Sequence, residues 1–499
     1  MPQGDARDSI PSGVLFIEPI WLSILIPIFF ALVLLIASLA IRHLRRAGFD
    51  NAAVLSIAGL ALALVTGGAL FATVLAGFVL FTHWIAFAIE RAADGRNRDA
   101  PPGSWPARVW LVVAVGVQLA MVAAISRAGV ITGPLQRIGG TMVPFGVSYF
   151  AFHGISYVAD VYRRRAPPAR SRWQLAVHLL LLPQIVGGPL AYEGVARHLG
   201  RRWPGISDYS YGVRRLLIGA WKVFVMAALA GTQADAAFAL RPGALNAFQA
   251  WLGLVSLTVQ MYYGFSGYSD MGIGLGRMVG IRLPENFRWP YVAETVREFW
   301  RRWHIGLSAW FREYADVSLD ADRVSPPPAG REALVVLLCG IWYGVGWTFV
   351  VWGLYHAALI ALERVGVEAA VKRLPSPLRH VYLIVVVMVG WVVLRSETLG
   401  GALLFLKALA GLNASALRAH QPIALEFWLV LAAGAIGCAP LLPTIRRWTV
   451  VIDAVIVSLL MMLFAAVLFA WRCGWIIATP VLRWWRWSLM RVGRHGGAA

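Results

Sequence analysis

Apolar runs long enough to cross a bilayer recur from one end of this sequence to the other. They fall at residues 14–41, 52–89, 109–126, 143–162, 216–238, 248–267, 333–362, 380–396, 423–443 and 449–472. A hydrocarbon core about 30 Å thick takes roughly 20 helical residues to span. Backbone amides cannot stay unpaired in lipid, so repeated runs of this length mean helices. A transmembrane β-barrel would show shorter segments of alternating polarity instead. The fold class is therefore all-α, a polytopic helical membrane protein with roughly 10–12 transmembrane helices. Composition agrees: 59% of the 499 residues are hydrophobic and 14% are charged, against roughly 25% charged in soluble domains.

A net charge of +20 could suggest nucleic acid. The arginines, however, stand in short loops between apolar runs, as the positive-inside rule expects, so no nucleic-acid partner is expected. Loop 42–50 carries Arg42, Arg45 and Arg46, which places it in the cytoplasm and the N-terminus outside. At 1.5 Å per residue, 52–89 is too long for one span and reads as two, turning near Thr66-Gly67-Gly68. The Arg-rich loop 90–108 is then cytoplasmic again, 109–126 crosses outward, and 143–162 crosses back to Arg163-Arg164-Arg165. The polar segment 1–13, ahead of a run long enough to remain as a span, gives no sign of a cleavable leader. Cys339, Cys438 and Cys473 lie in apolar stretches without metal-ligand spacing and read as packing residues. The chain reads as one membrane domain over 1–499. Its N-terminal spans occupy 14–126, a core 140–365, C-terminal spans 380–472 and a basic, Trp-rich cytoplasmic tail 473–499.

One apolar segment breaks the alternation. Residues 173–192, WQLAVHLLLLPQIVGGPLAY, are flanked on both sides by basic loops, so the segment returns to the side it left. Pro183, Gly187, Gly188 and Pro189 would break a straight helix there. A re-entrant segment is tolerated at membrane depth only where it is buried in protein or lines a cavity. Gln184 and Tyr192 are then candidates to line an internal chamber.

The densest chemistry follows a Gly-rich turn region. In residues 293–314 apolar side chains fall at Val296, Phe299, Trp303, Leu307, Trp310 and Tyr314. That three-and-four spacing predicts a single amphipathic helix. Its other side carries acid-before-base pairs, Glu294 with Arg297 and Glu298 with Arg301 and Arg302, which suits a membrane interface. His304 lies beside the stripe, with Trp300 and Ser308 one turn before and after. Upstream, Asp270 is an acid at the end of a span, and acids at membrane depth are costly unless they serve a function. Gly272, Gly274 and Gly276 lack the preceding strand of a nucleotide loop and point to close helix packing. His153 and His178 read as buried, hydrogen-bonded histidines. No HExxH or GxSxG pattern occurs, which disfavours a zinc site and a serine acyl-enzyme.

Five blocks together resemble the membrane-bound O-acyltransferase family, above all its bacterial branch of alginate O-acetylases. They are VPFGVSYFAFHGISYVADVYR, LLPQIVGGPLAY, YGFSGYSDMGIGLGRMVG, PENFRWPYVAETVREFWRRWHIGLSAWFREY and WTFVVWGLYHAALIALER, and they cover residues 140–365. The resemblance implies a helical bundle around a central funnel. It also implies transfer of an acyl group, acetyl in the alginate branch, from a cytoplasmic thioester such as acetyl-CoA to a hydroxyl of an extracytoplasmic polysaccharide. The expected place is the bacterial inner membrane, among lipids, beside a periplasmic acetyltransferase- or esterase-like partner protein. No permanently bound cofactor is implied.

In the family a histidine of an RWH motif and another of a WHG motif form the functional pair, the second acting as general base. His304 matches the first. At the second position the chain reads Ile341-Trp342-Tyr343-Gly344, with Tyr343 in place of histidine. Tyrosine has a reference pKa of about 10 against about 6.5 for histidine, so it is a poor base near neutrality. It could still donate a hydrogen bond to an oxyanion. His356 is the nearest substitute. On a continuous helix over 333–362 it would stand roughly 20 Å further along and about 220° round, out of reach unless the helix breaks at Gly344 or Gly346. Asp270, Trp300, Trp303, Ser308 and Gln184 are the expected funnel residues. After Tyr314 the loop Ala315–Asp320 also departs from the family pattern. Both departures raise an alternative, a catalytically silent family member that binds acyl chains or lipid or scaffolds an envelope-polysaccharide system.

Overall fold

The computed structural model describes residues 69–93, 104–127, 142–180, 205–240, 245–314, 329–344 and 346–412, with a few isolated positions besides. The expected spans at 14–41 and 449–472 and almost all of 423–443 lie outside the described residues. So do Gln184, Tyr192 and the Pro/Gly part of the re-entrant segment, loop 315–328 and the basic tail.

Among the described residues every regular element is helical, apart from turns. The N-terminal part comprises α1 (Ala69–Ala92), α2 (Trp105–Arg127), α3 (Met142–Tyr162) and α4 (Arg172–Leu180). Buried apolar residues of all four, Leu75, Ile85, Leu111, Tyr157 and Leu175 among them, make one core. The next group is α5 (Ile206–Trp221), a π-helical turn over Lys222–Ala227, α6 (Ala228–Ala239) and α7 (Ala247–Met278). Then come α8 (Val296–Arg302), α9 (Ile305–Tyr314), α10 (Ala329–Tyr343), α11 (Trp347–Leu362), α12 (Glu368–Lys372), α13 (Ser376–Arg395) and α14 (Leu399–Leu409). A second, larger core runs through α3, the α6–α11 region, α13 and α14.

By length and composition five described helical stretches can cross a membrane: 69–92, 105–125, 207–239, 347–372 and 376–395. Their outward faces carry exposed apolar side chains, such as Val112, Val113 and Val117 on α2 and Val381 and Val385 on α13. In water that would be a liability. Facing lipid it is the stable arrangement. The structure therefore has the form of a multi-pass membrane protein.

Four expectations about element boundaries are corrected. The stretch 216–238 belongs to a longer helical run beginning at Ile206 and passing through the π turn. The stretch 248–267 does not end in a Gly-rich turn but continues as one 32-residue helix to Met278. Asn246 caps its start, accepting a hydrogen bond from the Gln249 N–H at 2.9 Å. The long element expected over 333–362 is two helices that fold back on each other at Gly344–Gly346. At Gly344 a Cβ would meet the Phe349 ring, which packs directly on the bare backbone of the turn. Gly340 and Gly353 let the two backbones touch below it. The amphipathic helix expected over 293–314 is likewise two helices, broken at Trp303 and His304.

Of the glycines that the spacing singled out, Gly274 packs against a neighbouring helix, whereas Gly276 meets Ile281 and Leu283 just beyond the end of α7, and Gly267 joins the seam without having been singled out. A Cβ on Gly274 would lie 2.6 Å from the Gly212 carbonyl oxygen of α5, and one on Gly267 would lie 2.8 Å from the Gly219 oxygen. The reciprocal clashes occur at Gly212 and Gly219. Two stacked glycine pairs thus bring α5 and α7 to backbone contact. Beside that seam the Asp270 carboxylate, 8% exposed, receives Arg215 and Lys222, each at 2.7 Å.

Candidate active site

The segment from Asn286 to Tyr314 enters the core as two short helices. Helices of seven and ten residues are too short to stand by propensity alone, so their open N-termini need partners. α8 finds one in Thr295, whose hydroxyl accepts from the Glu298 N–H at 3.2 Å. It finds another in Glu363, buried at the end of α11, whose carboxylate accepts from the N–H groups of Val296 at 2.7 Å and Arg297 at 2.9 Å. The charged face that the sequence pairs within one helix is largely shared between helices. Arg297 binds Glu332 of α10 and Glu368 of α12 at 3.1 and 2.7 Å, and Glu294 binds Arg379 of α13 at 2.6 Å. Only Glu298 and Arg302 pair as the local spacing suggests. The apolar stripe is fully committed to the core: Val296, Phe299, Trp303 and Leu307 have no exposed surface. This is a helix pair wedged into the bundle rather than a helix lying on its surface.

α9 is capped from a distance. The Ile305 N–H donates to the Asn286 carbonyl and the Gly306 N–H to Asn286 Oδ1, both at 2.9 Å. Asn286 Nδ2 in turn donates to Ser269 Oγ of α7 at 2.9 Å. Asn286 is 1% exposed, and Gly306 approaches it so closely that a Cβ would lie 2.5 Å from Oδ1. The residue between the two helices is His304, at φ +44°. A non-glycine residue with left-handed backbone persists only where its surroundings over-determine it. Here the Asn286 clamp and the α8 and α9 hydrogen bonds do so.

The His304 imidazole is buried, between Phe287 at 5.7 Å and Trp342 at 6.0 Å, ring centre to ring centre. Its Nδ1 has no hydrogen-bond partner among the described residues. Burial pushes its pKa down to about 4. The positive end of α9 beside it also favours the neutral ring. A neutral imidazole with an unclaimed nitrogen is available as a hydrogen-bond or proton acceptor, although burial makes it a weaker base than an ordinary imidazole.

The two expected site segments meet. Trp303 Nε1 donates to the Tyr343 hydroxyl at 3.4 Å, while His304 faces Trp342 across the same junction. Ser308, one turn further, lies against the Cys339 thiol of α10. Because α10 and α11 form a hairpin, His356 is not remote from Tyr343: both pack on Trp352, at 4.9 and 5.4 Å. Trp300 closes the far side of His356 at 5.5 Å, and Gly390 of α13 covers its Nε2. His304, Trp300, Trp303, Ser308, Tyr343 and His356 therefore belong to one aromatic-walled region. The Asp270 carboxylate is taken up by Arg215 and Lys222, while its neighbour Ser269 holds Asn286.

Asn286 and Glu363 were missed as positioning residues. The sequence signal for Asn286 was its place in the quoted PENF block. Glu363 carried none beyond being an acid in an apolar helix. Asp160 was missed too, although it ties α3 to α9 by accepting from the Tyr314 hydroxyl at 3.0 and 3.1 Å. His178 bonds the His153 carbonyl at 3.2 Å, as a buried histidine should. The His153 ring nitrogens have no partner among the described residues.

The sequence profile of the membrane-bound O-acyltransferase family matches residues 197–397, which contain the elements around His304 other than α3. "Probable alginate O-acetylase AlgI" of Azotobacter vinelandii is 36% identical over 339 residues, covering 65% of this chain and 66% of that protein. The protein of the same name in Pseudomonas putida is 34% identical over 343 residues, covering 66% and 68%. "Peptidoglycan O-acetyltransferase" of Helicobacter pylori is 27% identical over 392 residues, covering 71% and 72%. The similarity thus spans about two thirds of the length of the alginate O-acetylases.

Proposed function

Because this chain belongs to the membrane-bound O-acyltransferase family, we propose that it moves an acyl group, acetyl by preference, from a cytoplasmic thioester such as acetyl-CoA to a hydroxyl of an extracytoplasmic polysaccharide. The observation that carries this reading is His304: buried, neutral and held in a left-handed turn at the junction of α8 and α9. His304 accepts the proton of the acceptor hydroxyl as the oxygen attacks the thioester carbonyl. The tetrahedral oxyanion collapses, the C–S bond breaks, and the proton passes to the departing thiolate. Tyr343, its oxygen already receiving the Trp303 N–H, stands as a hydrogen-bond donor to the oxyanion rather than as a second base. His356, closed in by Trp300, Trp352 and Gly390, supports the wall of the site. The reading places the protein in a bacterial inner membrane, delivering acyl groups towards a periplasmic acetyltransferase- or esterase-like partner. The relatives' names support alginate or a related envelope polymer as acceptor.

Tyr343 also favours a second reading, a family member that holds acyl chains or scaffolds a complex without turnover. Purified protein supplied with labelled acetyl-CoA and an oligosaccharide acceptor separates the two. The expected outcome is turnover by the wild type and loss of at least about 10²-fold in His304→Ala, the scale of general-base catalysis. An inert wild type that gains activity as Tyr343→His would establish the silent reading instead.

A further inference from the structure

Away from His304, at the far end of α1, a recess of about 560 Å³ opens between α1 and α2. Its size lies within the roughly 300–1,000 Å³ of small-molecule sites. His83, Trp84, Phe87, Ala88, Arg91, Ala92 and Trp110 line it. Trp84 and Trp110 meet edge to face at 5.5 Å and form its apolar wall, and the His83 ring is braced by Phe87 at 5.1 Å. His83 Nδ1 is buried without a partner among the described residues. One guanidinium group stands at its edge and a second acts on it from nearby. Arg91 lines the recess in the last turn of α1, and Arg172, at the start of α4, is near enough for its charge to act on His83. Neither Arg91 nor Arg172 pairs with a carboxylate among the described residues.

The position of the recess decides what could fill it. α1 and α2 are two of the helices that can cross a membrane, and both end here. Their neighbours close the same end: Ser104 donates to the Ala92 carbonyl at 2.7 Å, and Arg164, just after α3, donates to the Ala93 carbonyl at 2.7 Å. Arg91, Arg164 and Arg172 therefore gather at one end of the bundle, the end that the positive-inside rule assigns to the cytoplasm. Next to the recess, Trp84 and Trp105 stand 56% and 75% exposed, as tryptophans do at the headgroup level. A cationic pocket between helices on the cytoplasmic side has the chemistry to hold an anionic lipid head group.

We infer that this recess binds an anionic glycerophospholipid. The phosphate bridges Arg91 and Arg172 beside the His83 ring, and the upper acyl chains lie on Trp84, Phe87 and Trp110. The site is independent of the acyl-transfer reading and of its residues. It would make a structural lipid part of the N-terminal bundle.

Native mass spectrometry of the full chain, released from nanodiscs containing equal phosphatidylglycerol and phosphatidylcholine, tests it. The wild type should retain phosphatidylglycerol selectively. The Arg91→Gln/Arg172→Gln double variant should retain it about tenfold less or weaker still, with phosphatidylcholine unchanged. Should the double variant fail to fold, hydrogen exchange on the wild type decides: phosphatidylglycerol should slow exchange in residues 83–93, and phosphatidylcholine should not. Equal retention of both lipids, an unaffected double variant, or no protection of 83–93 would overturn the proposal. Equal protection by soluble glycerol phosphate, which would make this a site for free phosphates, would overturn it too, as would a co-purifying protein seated on α1.

Discussion

Left-handed backbone at a histidine costs on the order of 1–3 kcal/mol, so something must hold His304 at φ +44°. Asn286 is that restraint, because one side chain and its carbonyl serve the first two N–H groups of α9 and reach α7 through Ser269. Asn286→Ala strands buried donors and acceptors that carry roughly 1–3 kcal/mol each. Its thermal unfolding midpoint should fall, and kcat for labelled acetyl transfer should drop by about 10²-fold, with KM for the donor moving far less. Unchanged kcat in a folded Asn286→Ala protein would remove Asn286 from the site. Burial of His304 also sets a pH signature. An ordinary imidazole protonates near 6.5, but this one protonates near 4. The acid limb of the kcat profile should therefore lie near pH 4, and activity should be flat between pH 6 and 8. For stability, the unfolded chain binds the additional proton between the two values. The contribution of the neutral ring is complete above pH 6.5 and is lost as pH falls towards 4, by about 3 kcal/mol in all. His304→Gln should flatten that slope in pH-dependent unfolding.

At the scale of elements, the helix seams are set by backbone contact. α5 and α7 approach through Gly212 against Gly274 and Gly219 against Gly267. Gly274→Ala would push a methyl group against a carbonyl oxygen that cannot move without its helix, so the pair must separate. Gly116 of α2 offers the control, since nothing lies within 4 Å of a Cβ there. Gly274→Ala should lower the detergent-solubilised melting temperature by several degrees. Gly116→Ala should leave it unchanged or raise it slightly, as alanine is the better helix former by about 1 kcal/mol. Equal behaviour of the two variants would mean that the seam tolerates separation. Glycine spacing in the sequence pointed to packing here but could not say against which helix. The break at His304 was hidden for a related reason, whereas Gly344 and Gly346 marked in the sequence where the other could fall. Apolar periodicity continues through His304, because the residues on either side of the break face the same core, and periodicity reports burial rather than continuity.

For the whole molecule, membrane character, the all-helical class and family membership were legible in the chain itself, since each rests on local composition or on contiguous motifs. Run length against bilayer thickness needs no neighbour to interpret it. The basic loops at 90–108 and 163–172, read as lying on one side, are tied together at Ala93 by Arg164. His304 and Tyr343 could be named from their motifs, and the stripe of Val296, Phe299, Trp303 and Leu307 from its spacing. What no window of sequence contains is the meeting of segments far apart in the chain: Asn286 under α9, Glu363 under α8, and Tyr343 and His356 on one Trp352 ring. Those contacts depend on where helices cross and turn. Crossing is decided by the fit of side-chain and glycine surfaces across the interface, a property of pairs of helices that neither helix carries alone.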